Sequence, residues 1–300
     1  MKSIKRPFVL LIGMIFVCLV LTGCPAEIVS EEAALLGLNA ELTPEEMRMP
    51  EAKYYNPIFA PLPSDVEAAI SGGPGDCSRA LKFENINDLL KPGYLDLENG
   101  YCLNSNDGTG FVAIKTDFPG VTADMIQWWF WWHANKNIRY KIWCPGAHYA
   151  ISVKNEQQAN NPFLSYEQRR VNNTQLPYED TGNGIFLLSI HWVPPEEFGF
   201  DTSKFKEAGI AAVLCAKVGY MVETLNIEHT YMCHVFRKTN NGLELRSRFW
   251  PGKLLPDVTL RKLAITQDVV QGLASHNAHE YSHLSGFLPE IYEEFKFWRH

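Results

Sequence analysis

The chain has 300 residues, 46% of them hydrophobic and 20% charged, with 27 Lys+Arg against 34 Asp+Glu for a net charge of −7. Such a length and apolar share place it among globular proteins, with room for one large domain and a small appendage. The acidic balance argues against nucleic acid as a partner, because phosphate binding depends on clustered Lys and Arg.

The N-terminus carries Lys2, Lys5 and Arg6, an apolar run from Phe8 to Leu21, and then Leu21-Thr22-Gly23-Cys24. A basic start followed by a short apolar run reads as a signal peptide over residues 1–23. The Leu-Thr-Gly-Cys ending resembles a bacterial lipobox, in which the Cys becomes the lipidated mature N-terminus. The run is short for a membrane span, so the expectation is a protein held at the bacterial cell envelope, periplasmic or surface-facing, through a lipid on Cys24. Removing residues 1–23 leaves 24 Lys+Arg against 34 Asp+Glu, a net of −10.

Residues 24–70 are acidic and bear several prolines, and read as a tether with one short helix starting at Thr43, where Thr caps and Pro44 takes the first helical position. Residues 71–110 open on the turn cluster Ser71-Gly72-Gly73-Pro74-Gly75-Asp76 and read as a small cap or entrance region. From residue 111 the texture changes to β-branched and aromatic runs: Phe111–Thr116, Tyr149–Val153, Ile185–Val193, Ala211–Val222, Thr230–Arg237 and Leu243–Phe249. Their hairpin-like punctuation predicts an antiparallel sheet, and the fold class is α+β. Between the first strands lies Trp128-Trp129-Phe130-Trp131-Trp132-His133, five aromatics ending on a histidine. It reads either as a core patch or as an aromatic pocket wall that delivers His133 to a metal.

The chain closes on a long helix predicted over Gln271–Trp298, carrying His276, His279, Glu280 and His283 on one face at roughly 100° per residue. Imidazoles and a carboxylate at i, i+3 and i, i+4 spacing can converge on one ion. Two motifs compete here. His279-Glu280-x-x-His283 fits the H-E-x-x-H pattern of zinc proteases, but Pro289 stands where a third ligand would fall in one class, and the sequence ends too soon for the other. His276-x-x-x-Glu280 makes Glu280 itself a ligand. Of the 7 cysteines, Cys18 lies in the signal and Cys24 is the lipid site. Cys77 with Cys102 is the first expected disulfide and Cys215 with Cys233 a second candidate.

Taken together, the aromatic run to His133, then Arg139-Tyr140-Lys141-Ile142-Trp143-Cys144-Pro145-Gly146-Ala147-His148-Tyr149, then Glu196-Glu197-Phe198-Gly199-Phe200-Asp201, then His276-x-x-x-Glu280-Tyr281-x-x-Leu284-x-x-Phe287-Leu288-Pro289 resemble the 2,4-diacetylphloroglucinol hydrolase family, which takes in phloretin hydrolase. The likeness covers roughly residues 110–295, and implies a Bet v 1-like helix-grip fold: a curved antiparallel sheet around the long C-terminal helix, in a hydrolase domain over 111–300. It also implies Zn2+ as cofactor and cleavage of a carbon–carbon bond between an acyl group and an aromatic polyol. Carried onto this chain, the metal ligands are His133, His276, Glu280 and Glu179, with Asp180 and Glu156 as fallbacks for the last. Tyr140, Tyr231 and His279 are the candidate catalytic residues, and Asn135 and Trp132 the candidate contacts to a small aromatic substrate. A homodimer is compatible with the sequence. The rival readings are a lipoprotein that kept the cavity as a carrier of hydrophobic ligands, and the H-E-x-x-H protease.

Overall fold

The structure is a computed structural model that describes residues 37–297; the expected signal peptide and Cys24 lie outside them. Helix α1 (Ser64–Ser71) precedes strands β1 (Gly100–Leu103) and β2 (Gly110–Pro119). Helices α2 (Ala123–Trp132) and α3 (Asn137–Trp143) then lead to β3 (His148–Val153). Short helices α4 (Glu156–Ala159) and α5 (Tyr166–Arg170) lead to β4 (Thr174–Asp180), β5 (Ile185–Val193), β6 (Ile210–Val222), β7 (Leu225–Thr239) and β8 (Gly242–Pro251). The chain ends on α6 (Val258–Ala264) and α7 (Gln267–Phe295). The eight strands form one curved antiparallel sheet in the order β1-β2-β8-β7-β6-β5-β4-β3.

Side chains alternate across the sheet with the period of two that strands impose. On β6, Ala212, Leu214, Ala216 and Val218 join the core beneath α7, while Val213 and Cys215 join a second core on the sheet's back. On β7, Met232 and Phe236 face the first core, and Cys233 and Val235 the second. The 3-10 helix Phe83–Leu90 buries Ile86, Leu89 and Leu90 in that back core. This part of the region expected to cap an entrance therefore covers the opposite face of the sheet. The Cys77–Cys102 disulfide is formed, and Cys215 and Cys233, although register partners on β6 and β7, are free and buried.

Helix α7 starts where Thr266 accepts the Val269 N–H, a cap for donors that the first turn leaves unpaired. Val270, Ala274, Ala278, Tyr281, Leu284, Leu288, Ile291 and Phe295 form its buried stripe at three- and four-residue spacing. Each large apolar side chain so buried contributes about 1.5–3 kcal/mol. Pro289 sits within the helix rather than ending it. Gly272 has a specific role. A Cβ there would stand 2.5 Å from the Thr181 carbonyl oxygen, and Gly182 opposite has φ +98°. Two glycines thus let the β4–β5 turn lie against α7, one helical turn before His276.

The 37–63 segment, expected as tether, packs onto the domain. Thr43 and Glu46 cap one another reciprocally, but a 3-10 turn over Glu46–Arg48 follows in place of an α-helix. Glu46 pairs with Lys141 of α3 at 2.9 Å, and Glu51, 1% exposed, with Arg139 of α3 at 3.1 Å. Tyr54 donates to Glu294 near the end of α7. Among the described residues, no helix is long and apolar enough to cross a membrane.

Candidate active site

Four polar side chains converge beside α7. On the helix, His276 and Glu280 stand one turn apart, Nε2 to Oε2 3.6 Å. Across from them His148 and Glu179 are register partners on β3 and β4, Nε2 to Oε2 3.8 Å. The two pairs meet: His148 Nε2 is 3.4 Å from His276 Nε2 and 3.7 Å from Glu280 Oε2. A helical i, i+4 pair and a cross-strand pair therefore point four donor atoms at one spot. Cys144 Sγ also lies within 4.8 Å of the ligand atoms of His148 and His276.

Second contacts fix these groups. His148 Nδ1 is 3.0 Å from the Tyr140 carbonyl oxygen, which leaves its Nε2 lone pair for the site. The Tyr140 hydroxyl donates to Glu179, and Asn277 Nδ2 donates to Glu280. Burial holds His148 well below the usual histidine range, with His276 adding to the effect, and lowers His276 to about 4. Both rings are neutral at physiological pH, as metal binding requires. Burial raises Glu179 to about 7 against the opposing Tyr140 hydrogen bond, and pushes Glu280 well up, with the Glu179 charge adding to it. Two buried carboxylates thus share a site to which no Lys or Arg among the described residues comes. Two neutral imidazoles and two carboxylates of this kind fit a divalent ion of borderline softness. The Cys144 thiol is pushed well up by burial and stays neutral, so the carboxylates are the better ligands.

The cluster opens on a cavity enclosing about 910 Å³, mouth included. Its walls are mostly apolar and aromatic, among them Phe130, Trp143, Trp192, Met232 and Phe249. His133, Tyr140, His229, His234 and Tyr281 add polar atoms. His234 links inward and outward, Nε2 3.0 Å from the Tyr281 hydroxyl and Nδ1 2.9 Å from Ser247 Oγ.

The structure brings together Tyr140, Glu179, His276 and Glu280 of the sequence-based candidates. It does not bring in His133, which lies on the cavity wall with Nδ1 2.7 Å from the Trp129 carbonyl oxygen; His148 fills the place expected for it. Asp180 points away and accepts the Gly182 and Gly184 amides, and Glu156 begins α4. Tyr231 is on the back of the sheet, stacked on Phe83 at 4.2 Å. Trp132 stacks on Trp128 at 4.6 Å beneath the Arg139 guanidinium, and Asn135 donates to the Trp131 carbonyl, so neither lines the cavity. His279 Nδ1 is 2.8 Å from the Ser275 carbonyl oxygen, and its ring meets Phe59 of the N-terminal segment, as does His283. The H-E-x-x-H reading fails on this point, because Glu280 faces His148 and His276 while His279 and His283 face elsewhere.

Sequence reasoning passed over His148, although it stands in the block Cys144-Pro145-Gly146-Ala147-His148-Tyr149. His148 starts a strand facing the buried series Gln175, Pro177, Glu179 of β4, a pairing that only the folded sheet sets.

The chain is 30% identical over 262 residues to the 2,4-diacetylphloroglucinol hydrolase of Pseudomonas protegens, covering 82% of this chain and 84% of that one. It is 30% identical over 271 residues to the phloretin hydrolase of Eubacterium ramulus, covering 87% and 95%. Among solved structures, protein Ms6760 of Mycobacterium smegmatis aligns with 62% of this chain and 96% of its own at 11% identity and a TM-score of 0.37, a likeness too slight to bear on the fold. The DAPG hydrolase PhiG domain matches residues 81–293, which contain all four converging side chains. The chain is a hydrolase and belongs to the DAPG hydrolase family.

Proposed function

We propose that this hydrolase cleaves the carbon–carbon bond between an acyl group and a phloroglucinol-type ring, with a zinc ion held by His148, Glu179, His276 and Glu280. The observation that carries the reading is the convergence of those four donors on the wall of an aromatic cavity, with two buried carboxylates that no Lys or Arg among the described residues reaches. The names of the relatives supply the substrate class: 2,4-diacetylphloroglucinol and phloretin both join an acyl group to a trihydroxylated ring. The architecture supports a helix-grip of the Bet v 1 type, since α7 lies across one face of the curved sheet with the cavity between them.

When bound, zinc supplies Lewis acidity toward a ketone oxygen and lowers the pKa of water. The chain supplies the rest. Phe130, Trp143 and Trp192 offer aromatic walls to a flat ring and exclude water. In the overall reaction water gives its hydroxyl to the acyl carbon, forming a carboxylic acid, while the bonding electron pair and a proton go to the ring carbon. The hydroxyls of the ring make that departure feasible, because the keto tautomer accepts the electron pair. Tyr140, hydrogen-bonded to Glu179, and Tyr281, paired with His234, are protonated groups facing the cavity beside the donor cluster and serve as the proton carriers.

Zinc content and release of the free polyphenol from an acylphloroglucinol, compared among wild type and the variants His148→Ala, His276→Ala and His283→Ala, test this. We expect about one zinc per chain, as a four-ligand site holds, lost with activity in the first two variants and kept in the third. Zinc retained in His148→Ala would overturn the ligand assignment. Absence of metal and activity after reconstitution would leave a ligand carrier.

We also infer that the protein is exported and lipid-anchored at Cys24. Leu21-Thr22-Gly23-Cys24 supports this, and so does the Cys77–Cys102 disulfide, a bond that persists in oxidising compartments. Mass spectrometry of the N-terminal peptide from membranes tests it: an unmodified Met1 terminus would overturn it.

A further inference from the structure

Behind the wall of the main cavity, a smaller pocket of about 220 Å³, mouth included, is lined by Arg169, Arg170, Asn173, Gln175 and Trp192 among apolar neighbours, with no acidic residue. Arg170 ends α5 and is 3% exposed. One of its nitrogens, Nη2, donates to Gln127 Oε1 at 3.1 Å, and the guanidinium lies 4.9 Å from the centre of the Trp192 ring. Its Nε and Nη1 are buried without a hydrogen-bond partner among the described residues, and Trp192 Nε1 is in the same condition. Neighbouring donors are used: Gln175 Nε2 donates to the Phe130 carbonyl, Asn173 Nδ2 to the Asn155 carbonyl and Arg169 Nε to the Leu164 carbonyl. Among the described residues Arg170 makes no salt bridge, and Glu167, whose charge reaches it, is exposed.

A buried cation without a counter-charge is strongly destabilising, and so is each buried donor left unmade. Here both occur on residues that line one pocket. A water molecule would accept from these donors, but the charge would remain. An anion answers both needs.

We propose that Arg170 and Trp192 bind a small monovalent anion in this pocket, chloride or a short carboxylate. The site is separate from the four-donor cluster and does not depend on the zinc reading.

The test uses the full chain at constant ionic strength, with chloride or acetate replacing gluconate, an anion too large for the pocket. The expected result is a saturable rise of the unfolding midpoint with chloride, and an anomalous peak beside Arg170 in crystals soaked in bromide. Acetate displacing that bromide would identify the pocket as accepting carboxylates too, and failure of acetate to displace it would mark the ligand as the inorganic halide. Arg170→Met should abolish the rise, and Trp192→Phe, which removes one donor and keeps the ring, should raise the half-saturating concentration about tenfold, the worth of one such hydrogen bond. No anomalous peak, or a chloride response of equal size in both variants, would overturn the proposal. Should Arg170→Met fail to fold, Trp192→Phe and the bromide map decide alone.

Discussion

The two faces of the sheet bury charges in opposite ways. On the back, Arg246 and Arg248 of β8 are both within 1% of full burial, and Glu98 bridges them. Arg246 also donates to the Leu89 carbonyl, and the neighbouring Glu244 accepts from Arg237 and Tyr94. Burial alone would raise Glu98; Arg248 and Arg246 outweigh it and leave that carboxyl below its usual range. On the cavity face, Glu179 and Glu280 are as deeply placed but sit near each other and near neutral imidazoles, and both are raised. Charges that hold the fold together carry their counter-ions with them. Charges in the site wait for one from outside.

The contrast can be broken most severely at Glu98. Glu98→Ala should strand two buried guanidinium groups and lower the unfolding free energy by about 3–5 kcal/mol, read by denaturant titration, with zinc affinity unchanged in the fraction that folds. Opening the Cys77–Cys102 bridge by Cys102→Ser, which frees a separation of 25 residues, should cost about 3 kcal/mol by the same titration, again with the site intact.

Glu179→Gln should behave in the opposite sense. In metal-stripped protein it should raise stability at pH 8 by about 1–3 kcal/mol, because an ionised carboxylate without a cation is removed, while abolishing zinc retention. The sign follows from a folded value of about 7 against an ordinary 4.5: protonation favours the folded state, so this residue's contribution is present at low pH and is lost as pH rises to about 7. The advantage of the variant should therefore fade as pH falls from 8 toward 4.5. An advantage constant across that range would break the comparison. Smallest in stability is Gly272→Ala, whose Cβ would press on the Thr181 carbonyl. Better helix propensity should offset the crowding to within about 1 kcal/mol, but displacement of the β4–β5 turn from His276 should weaken zinc binding about tenfold.

Much of the architecture is written in local pattern. The long helix, six of the eight strands and the Cys77–Cys102 bridge follow from periodicity, turn chemistry and cysteine placement. Strand β4 escaped because Thr174-Gln-Leu-Pro-Tyr-Glu-Asp180 carries a proline and two acids, and β1 because it is only four residues long. Three of the four donors were legible: helix geometry put His276 and Glu280 on one face with His279 and His283, and the family resemblance chose between those pairs and added Glu179. The fourth, His148, depends on which residue of β3 meets which of β4, and a register shift between His148 and Ala150 puts that beyond local reading. Tyr231 shows the same limit: it sits between Thr230 and Met232, both of which line the cavity, so an error of one residue moves a side chain to the other face of the sheet.

The strap formed by residues 37–63 bears on where this protein begins as a folding unit. The family model matches from residue 81, yet α3, which carries Tyr140, holds Arg139 and Lys141 in place through Glu51 and Glu46 on that strap. A chain trimmed to the matching span would keep all four donors and lose the Glu51 and Glu46 carboxylates that pair with those two cations. The span matched by the family model and the packed unit of the structure therefore differ here. In hydrogen exchange the amides of α3 should open together with those of the strap, as one cooperative unit, rather than with the sheet.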